Sequence, residues 1–337
     1  MPALRLGRRH LLAGIAGAAA APGSAVAAPP PWRVAFANAN ETPGARLEGL
    51  GFTGADVRRS FELAARSLPI DMIYYDNAGD AGRALANAED AAARAVHLLI
   101  EYNPETSSNG DIARRMIAAG IPVLAINYPV GEAPLYTADH HAAGMIAGEA
   151  LGAFALQDWP DDKPLVVIIG DHGDPSECVA SRIAGITAGL RAKLPAAAPV
   201  ALDTGGQPQR AEGMLLKYLA REPRRKILIA ALDDPTALSA RAAVEAAVRL
   251  NDCVIVSQGL DRTIHGGTSQ KKEIDPANRA SVVLGSVAYF LDLYGYEILP
   301  LALRMLRDEV VPARTVTRHV LVTARTIFRE YPPTDMN

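Results

Sequence analysis

After Pro29-Pro30-Pro31, short apolar runs alternate with longer segments of helical period, and that alternation constrains the fold more than any other feature of the chain. Apolar runs bounded by helices are how strands buried on both faces of a parallel sheet appear in sequence. The pattern predicts strands at Val34–Ala37, Asp71–Tyr74, Val96–Ile100 and Val123–Ile126. Val57, Phe61, Ala64 and Leu68 are spaced to line one face of an intervening helix, and Gly120 with Pro122 stops another helix before its strand. The unit then restarts with Leu165–Ile169, Val200–Leu202, Ile227–Ala231 and Cys253–Ser257, separated by helices Ser181–Leu194 and Pro235–Leu250. Asp234-Pro235 suits a helix opening, because proline's missing N–H costs nothing there. A helix at Glu297–Arg307 and a strand at Val316–Val322 complete the reading. With 337 residues the chain exceeds one ordinary core and fits two lobes of roughly 130 to 150 residues each.

The residues before the triple proline read as a targeting segment. A basic start ends in Arg8-Arg9, an apolar stretch runs from Leu11 to Ala21, and Ala25-Val26-Ala27 offers small residues for cleavage before Ala28. Arg8-Arg9-His10-Leu11-Leu12 resembles a twin-arginine signal, although paired arginines also open ordinary secretory leaders. The stretch is short and rich in Ala and Gly, whereas a membrane span needs about 20 strongly apolar residues. Residues 1–27 hold three arginines and no acid, so their removal takes the formal charge from −3 to −6. Such a surface repels nucleic acid and anionic lipid. The two cysteines, Cys178 and Cys253, are expected at opposite ends of a sheet, one heading a helix and one opening a strand, and so remain separate thiols.

Catalytic motifs are weak. Gly49-Leu50-Gly51-Phe52-Thr53-Gly54 has the form of a dinucleotide fingerprint, with Asp71 and Asp76 beyond it. A nucleotide loop must leave its strand at once so that the helix terminus meets the pyrophosphate, and about ten residues separate Ala37 from Gly49. The sequence has neither G-x-x-x-x-G-K-[ST] nor G-x-S-x-G. Asp139-His140-His141 and His172 lack a third ligand at the spacing of a metal site, and read as structural or solvent-facing histidines. Neither catalysis, nor a cofactor, nor a metal is expected.

Polar residues cluster where the predicted strands end, which is where open parallel sheets bind ligands. They are Asn38, Asn40 and Glu41; Glu101, Tyr102 and Asn103; Asn127 and Tyr128; Asp171, Asp174 and Glu177; Asp233 and Asp234; Gln258; and Tyr289. Acids and amides pair well with hydroxyls, and rigid strand ends fix which hydroxyl is held. Helix capping and turn formation compete for the same residues, Asp234 first.

Spread along residues 32 to 325 are Gly120-Ile121-Pro122-Val123 leading to Asn127, Ala138-Asp139 followed by Gly144 and Ala147-Gly148, and Ser181-Arg182-Ile183-Ala184-Gly185 with Gly189-Leu190. Ala231-Leu232-Asp233-Asp234 with Ala237-Leu238, Val254-Ile255-Val256 and Gly285-Ser286-Val287-Ala288-Tyr289 follow. In order and spacing this set resembles the type I periplasmic sugar-binding proteins of ABC importers, the ribose-binding group. The resemblance implies an α/β fold of two doubly wound parallel-sheet lobes joined by a three-strand hinge near Ala138, Tyr289 and Thr315. It places 32–137 plus 290–314 in one lobe and 138–289 plus 315–330 in the other, with the ligand between.

By position, the resemblance implies that Asn127 and Tyr128 replace a binding acid and its basic neighbour, and that Asp233 replaces a binding amide. Gln258 or Gly259 falls near a binding acid, and Tyr289 at a hinge-side amide. Asn40 and Glu41 stand where related proteins stack paired aromatics on the sugar. The arginine that commonly holds a sugar hydroxyl falls at Ala180, and Arg182 matches its structural neighbour. With Tyr102, Glu41 and Glu177 lining the same cleft, the departures favour a polyol, a modified sugar or a cationic ligand over a simple hexose. The expected protein is a periplasmic solute-binding protein that delivers a sugar-like molecule to an ABC permease. A ligand-sensing receptor module of the same fold is the alternative.

Overall fold

The computed structural model describes residues 31–174, 177–265, 272–278 and 281–332. The leader expected at residues 1–27 lies outside them. In the first half, β1 (Trp32–Asn38), α1 (Gly54–Ala65), β2 (Ile70–Asp76), α2 (Ala81–Ala93), β3 (Leu98–Glu101), α3 (Asn109–Ala118), β4 (Val123–Ile126) and β5 (Leu135–Thr137) follow one another. The next run is α4 (His140–Asp158), β6 (Leu165–Gly170), α5 (Glu177–Lys193), β7 (Val200–Asp203), α6 (Arg210–Arg221), β8 (Ile227–Ala231) and α7 (Asp234–Ala246). Then come β9 (Cys253–Gly259), α8 (Arg262–His265), β10 (Val283–Ala288), α9 (Tyr294–Leu306), β11 (Arg314–Val316), β12 (Leu321–Val322) and α10 (Ile327–Glu330).

Two six-stranded sheets result. The first runs β11-β5-β4-β3-β1-β2, and its pairs are all parallel. The second runs β12-β10-β9-β8-β6-β7, parallel except for β12 on β10. Residues of β4, β8 and β9 are buried throughout, as strands covered on both faces must be. The expected strand at Val316–Val322 is in fact two: β11 closes the first sheet, and β12 joins the second after residues 317–320 pass between them. The chain also crosses between the sheets after β5 and after β10.

Helix boundaries follow local chemistry. Asp80, Asp139 and Asp233 each accept a first-turn backbone N–H, at 2.7, 2.9 and 2.8 Å. Thr53 opens α1 with its backbone N–H on Asp56 at 2.9 Å. Helices α4 and α5 meet along a seam of glycines. A Cβ on Gly144 would lie 2.2 Å from the Arg182 carbonyl oxygen, and one on Gly185 would lie 2.1 Å from that of His141. This close approach sets His140, at the start of α4, beside Arg182 on α5. In each sheet the strand order reverses two strands in from one edge, between β1 and β3 and between β6 and β8. Crevices at such reversals open at the carboxyl ends of the strands, and they are the natural ligand positions of the fold.

Candidate functional site

The β1–α1 loop leaves the reversal point of the first sheet and folds into the crevice against the second. Leu47, Leu50 and Phe52 of this loop are buried, and Leu47 N–H bonds Phe52 O at 2.9 Å. Glu48 and Gly49 turn the chain with φ of 57° and 61°, the left-handed region. Gly51 passes so near the second sheet that a Cβ there would collide with the Asp261 carboxylate, and Arg46 reaches Gly206 O at 3.2 Å and Asp233 at 3.5 Å. The formal glycine motif is therefore a packing device: its glycines admit the loop to a space with no room for side chains.

The turn carries Glu48 to the meeting point of both sheets. Its carboxylate accepts from the Tyr102 hydroxyl at 2.6 Å and from the Tyr128 hydroxyl at 3.3 Å, and lies 3.5 Å from His140 Nε2. Asn127, itself at φ 57°, donates from Nδ2 to the Tyr102 oxygen at 3.3 Å and accepts from Ala138 N at 3.1 Å. Burial works to raise the Glu48 carboxyl, but His140, Tyr102 and Asn127 outweigh it and hold the group below the usual carboxylate range. Burial, with Arg182 nearby, pushes the His140 imidazole down, so the ring is neutral at pH 7. Arg182 Nη2 donates toward His140 Nδ1 at 3.3 Å, which leaves Nε2–H to face Glu48. The anion is therefore held by hydroxyl and imidazole donors rather than by an imidazolium charge.

Arg182 is fully buried, and its guanidinium ties the sheets together. It donates to Glu48 O at 2.7 Å, Gly49 O and Tyr289 Oη at 3.2 Å, and Leu232 O at 2.8 Å. Tyr289 in turn donates to Gln258 Oε1 at 3.2 Å. Outside Gly49, a cavity of about 290 Å³ is lined by Arg46, Asp171, Asp174, Val179, Leu232 and Asp233, among others.

A family model for a periplasmic binding protein domain matches residues 52–269. The chain belongs to that family. Its members are ligand-binding proteins, and the two parallel-sheet lobes are of the type I architecture. No curated protein matches the chain. An ABC transporter periplasmic solute-binding protein from Actinobacillus succinogenes, with bound D-allose, superposes at a TM-score of 0.68. The two are 16% identical over 89% of this chain and 100% of that one. A Mycobacterium smegmatis structure in complex with β-D-fucofuranose gives 0.67, at 19% identity over 90% and 95% of the two chains. A Bacillus halodurans solute-binding protein with myo-inositol gives 0.65, at 17% over 89% and 96%.

Within this periplasmic binding protein the sequence-predicted residues divide into three groups. Tyr102, Asn127, Tyr128, Arg182, Gln258 and Tyr289 converge around Glu48 and its turn. Asp233 caps α7 through Thr236 and borders the outer cavity. Asn40, Glu41 and Glu177 stand apart from the convergence. Asn40 accepts from Thr42 N in its own turn, and Glu41 is held by Asn38 Nδ2 at 3.0 Å and Arg58 at 3.1 Å. Glu177 is exposed in the first turn of α5. Two central residues escape a sequence reading: Glu48, immediately before the glycine motif, and His140, one of the adjacent histidines.

Cys178 enters the same place from α5. Ligand-capable atoms of Glu48, His140 and Cys178 lie within 4.8 Å of one another, a trio that no sequence spacing reveals. These are donor types that bind divalent metals. The buried Arg182 cation beside His140 works against a second cation here, and the tautomer that faces Arg182 spends the Nε2 proton on Glu48.

Proposed function

We propose that the chain is an exported solute-binding protein. It closes two lobes around one small polyhydroxylated ligand, a sugar, polyol or modified sugar, and hands it unchanged to an ABC import permease. The observation that carries this reading is the convergence of side chains from the strand ends of both sheets on one point between them. Tyr102, Asn127 and Tyr128 come from the first sheet, and Gln258 and Tyr289 from the second, with Arg182 linking the two. Hydroxyl, amide and guanidinium groups fixed on strand ends suit hydroxyl recognition. Proteins of the same fold hold D-allose, β-D-fucofuranose and myo-inositol.

The proposed hinge is the three chain crossings, with 32–137 plus 290–314 moving against 138–289 plus 315–330. Residues 1–27 act as the export leader, cleaved before Ala28, and the mature protein works in the periplasm. No helix among the described residues is long and apolar enough to cross a membrane, so a separate permease completes transport. A ligand that bridges the lobes shifts the population toward the closed form that docks.

The test is a thermal-shift and calorimetric screen of residues 28–337 against sugars, polyols and sugar derivatives. A saturable rise in melting temperature, with the compound recovered intact, is expected. Chemical conversion of the bound compound, or no saturable binding across the panel, overturns the reading.

A further inference from the structure

The geometry points to Glu48 as a built-in occupant of a carboxylate subsite, so that the free ligand is a small polyhydroxy acid that binds by displacing the β1–α1 turn. This inference rests on the solute-binding reading above and gives it a chemical class of ligand.

Three observations support it. The groups that face the Glu48 carboxylate are donors supplied by other elements: the hydroxyls of Tyr102 and Tyr128, and Nε2 of His140. Burial keeps both phenols protonated, so they serve only as neutral donors to the anion. A shell of this kind around a crevice at both sheets' reversal points is an anion cradle, and it recognises a carboxylate whatever chain carries it.

The cleft also holds a buried cation, Arg182, on which Asp233 acts from a distance. Arg182 donates to three carbonyls, one hydroxyl and the His140 ring. Its charge acts on the His140 ring, and two of the carbonyls it holds belong to the turn that would leave. Departure of the turn exposes a guanidinium edge with two free donors, and a hydroxy acid presents the oxygens to fill them.

Finally, the occupant sits in an unfavourable backbone state and a ready space adjoins it. Glu48 is a non-glycine residue at φ 57°, immediately followed by Gly49 at 61°, so release of the turn relieves strain. The cavity beyond Gly49 is lined by Asp171 and Asp233, whose oxygens can accept from hydroxyls, with Arg46 beside them. A ligand with its carboxylate in the cradle has room for its hydroxylated tail there.

The experiment uses residues 28–337, wild type and with Glu48→Ala or Glu48→Gln. Binding of sodium gluconate and of glucitol, its uncharged counterpart of equal chain length, is followed by calorimetry at constant ionic strength. Gluconate is expected to bind both variants about tenfold tighter than wild type, because the competing internal carboxylate is gone. Acetate is expected to raise the melting temperature of Glu48→Ala, whereas chloride at the same concentration does not. Glu48→Gln keeps the side-chain volume and serves if the alanine variant does not fold. Variants that bind glucitol as well as gluconate, or that bind gluconate no tighter than wild type, overturn the inference while the solute-binding reading stands. Failure of the wild type and the variants to bind any sugar, polyol or sugar acid overturns both.

Discussion

Arg182 reaches Glu48 through the backbone and not through the carboxylate: Nη2 donates to the Glu48 main-chain oxygen at 2.7 Å, while the carboxylate faces Tyr102, Tyr128 and His140. Two buried, opposite charges are thus separated by a neutral imidazole. The arrangement locks the β1–α1 turn to α5 by hydrogen bonds whose donors carry full charge, which are about twice as strong as neutral ones.

Replacing Arg182 with Met is therefore expected to destabilise the protein by about 3–5 kcal/mol, since it leaves the Glu48, Gly49 and Leu232 carbonyls buried without a donor. Arg182→Lys should recover only part of the loss. One ammonium cannot span carbonyls that a planar fork addresses together. Urea unfolding measures both, and a lysine variant as stable as wild type would contradict the fork argument.

Glu101 ends β3 fully buried, with Oε1 accepting from Asn77 Nδ2 at 2.8 Å. Burial, only partly opposed by that amide, pushes its carboxyl up to about 8. The folded state thus binds this proton more tightly than the unfolded chain. Stability from Glu101 is fully present below its ordinary value of 4.5 and is lost as pH rises through about 8. Between pH 6 and pH 9 the wild type should lose about 3 kcal/mol relative to Glu101→Gln, which cannot ionise. Parallel stability profiles for the two proteins would show that Glu101 is ionised throughout.

How far the sequence speaks depends on how local the determinant is. Val123–Ile126 and Ile227–Ala231 are legible to the residue because covered parallel strands are continuous apolar runs between helix stops. Strands β5, β11 and β12 hold only two or three residues, too few to show a period, so Val316–Val322 reads as one strand when the chain changes sheets within it. Tyr102, Asn127 and Tyr289 are legible because their places follow from the strand ends before them. Glu48 is not, since its place is set by Arg182, 134 positions away, and by the close pass of Gly51 against Asp261. Glu41 shows the opposite case: a charged residue at the expected position is absorbed by local partners, Asn38 and Arg58.

His319 fastens the three crossings to one another. From the third crossing, its Nε2 accepts the Asp139 N–H of the first at 3.0 Å, and Nδ1 pairs with Ala288 O at the start of the second, also at 3.0 Å. His319→Ala is expected to cost about 1–3 kcal/mol and to speed hydrogen exchange at the Asp139 amide at pH 7.5. Burial is the largest influence on this ring and lowers its proton affinity in the folded state. The contribution is therefore fully present above the ordinary value of 6.5 and is lost as pH falls below it. The Asp139 amide should remain as protected in the variant as in wild type only if another acceptor holds it.

The position of His140 against Arg182 rests on the glycine seam between α4 and α5, and Gly185→Ala tests it. The new Cβ would sit 2.1 Å from the His141 carbonyl oxygen and 3.0 Å from the Met145 N, both backbone atoms that no rotamer change can move. The helices must separate, and overpacking of this kind costs about 1–3 kcal/mol or more. Because His141 adjoins His140, the shift also pulls the imidazole away from the Arg182 guanidinium and Glu48. A surface glycine supplies the control: a Cβ on Gly213, in α6, meets nothing within 4 Å, and Gly213→Ala removes backbone freedom from the unfolded chain. Thermal unfolding should show Gly185→Ala well below wild type and Gly213→Ala at or above it. Equal melting temperatures for the two variants would mean that the α4–α5 seam yields without strain.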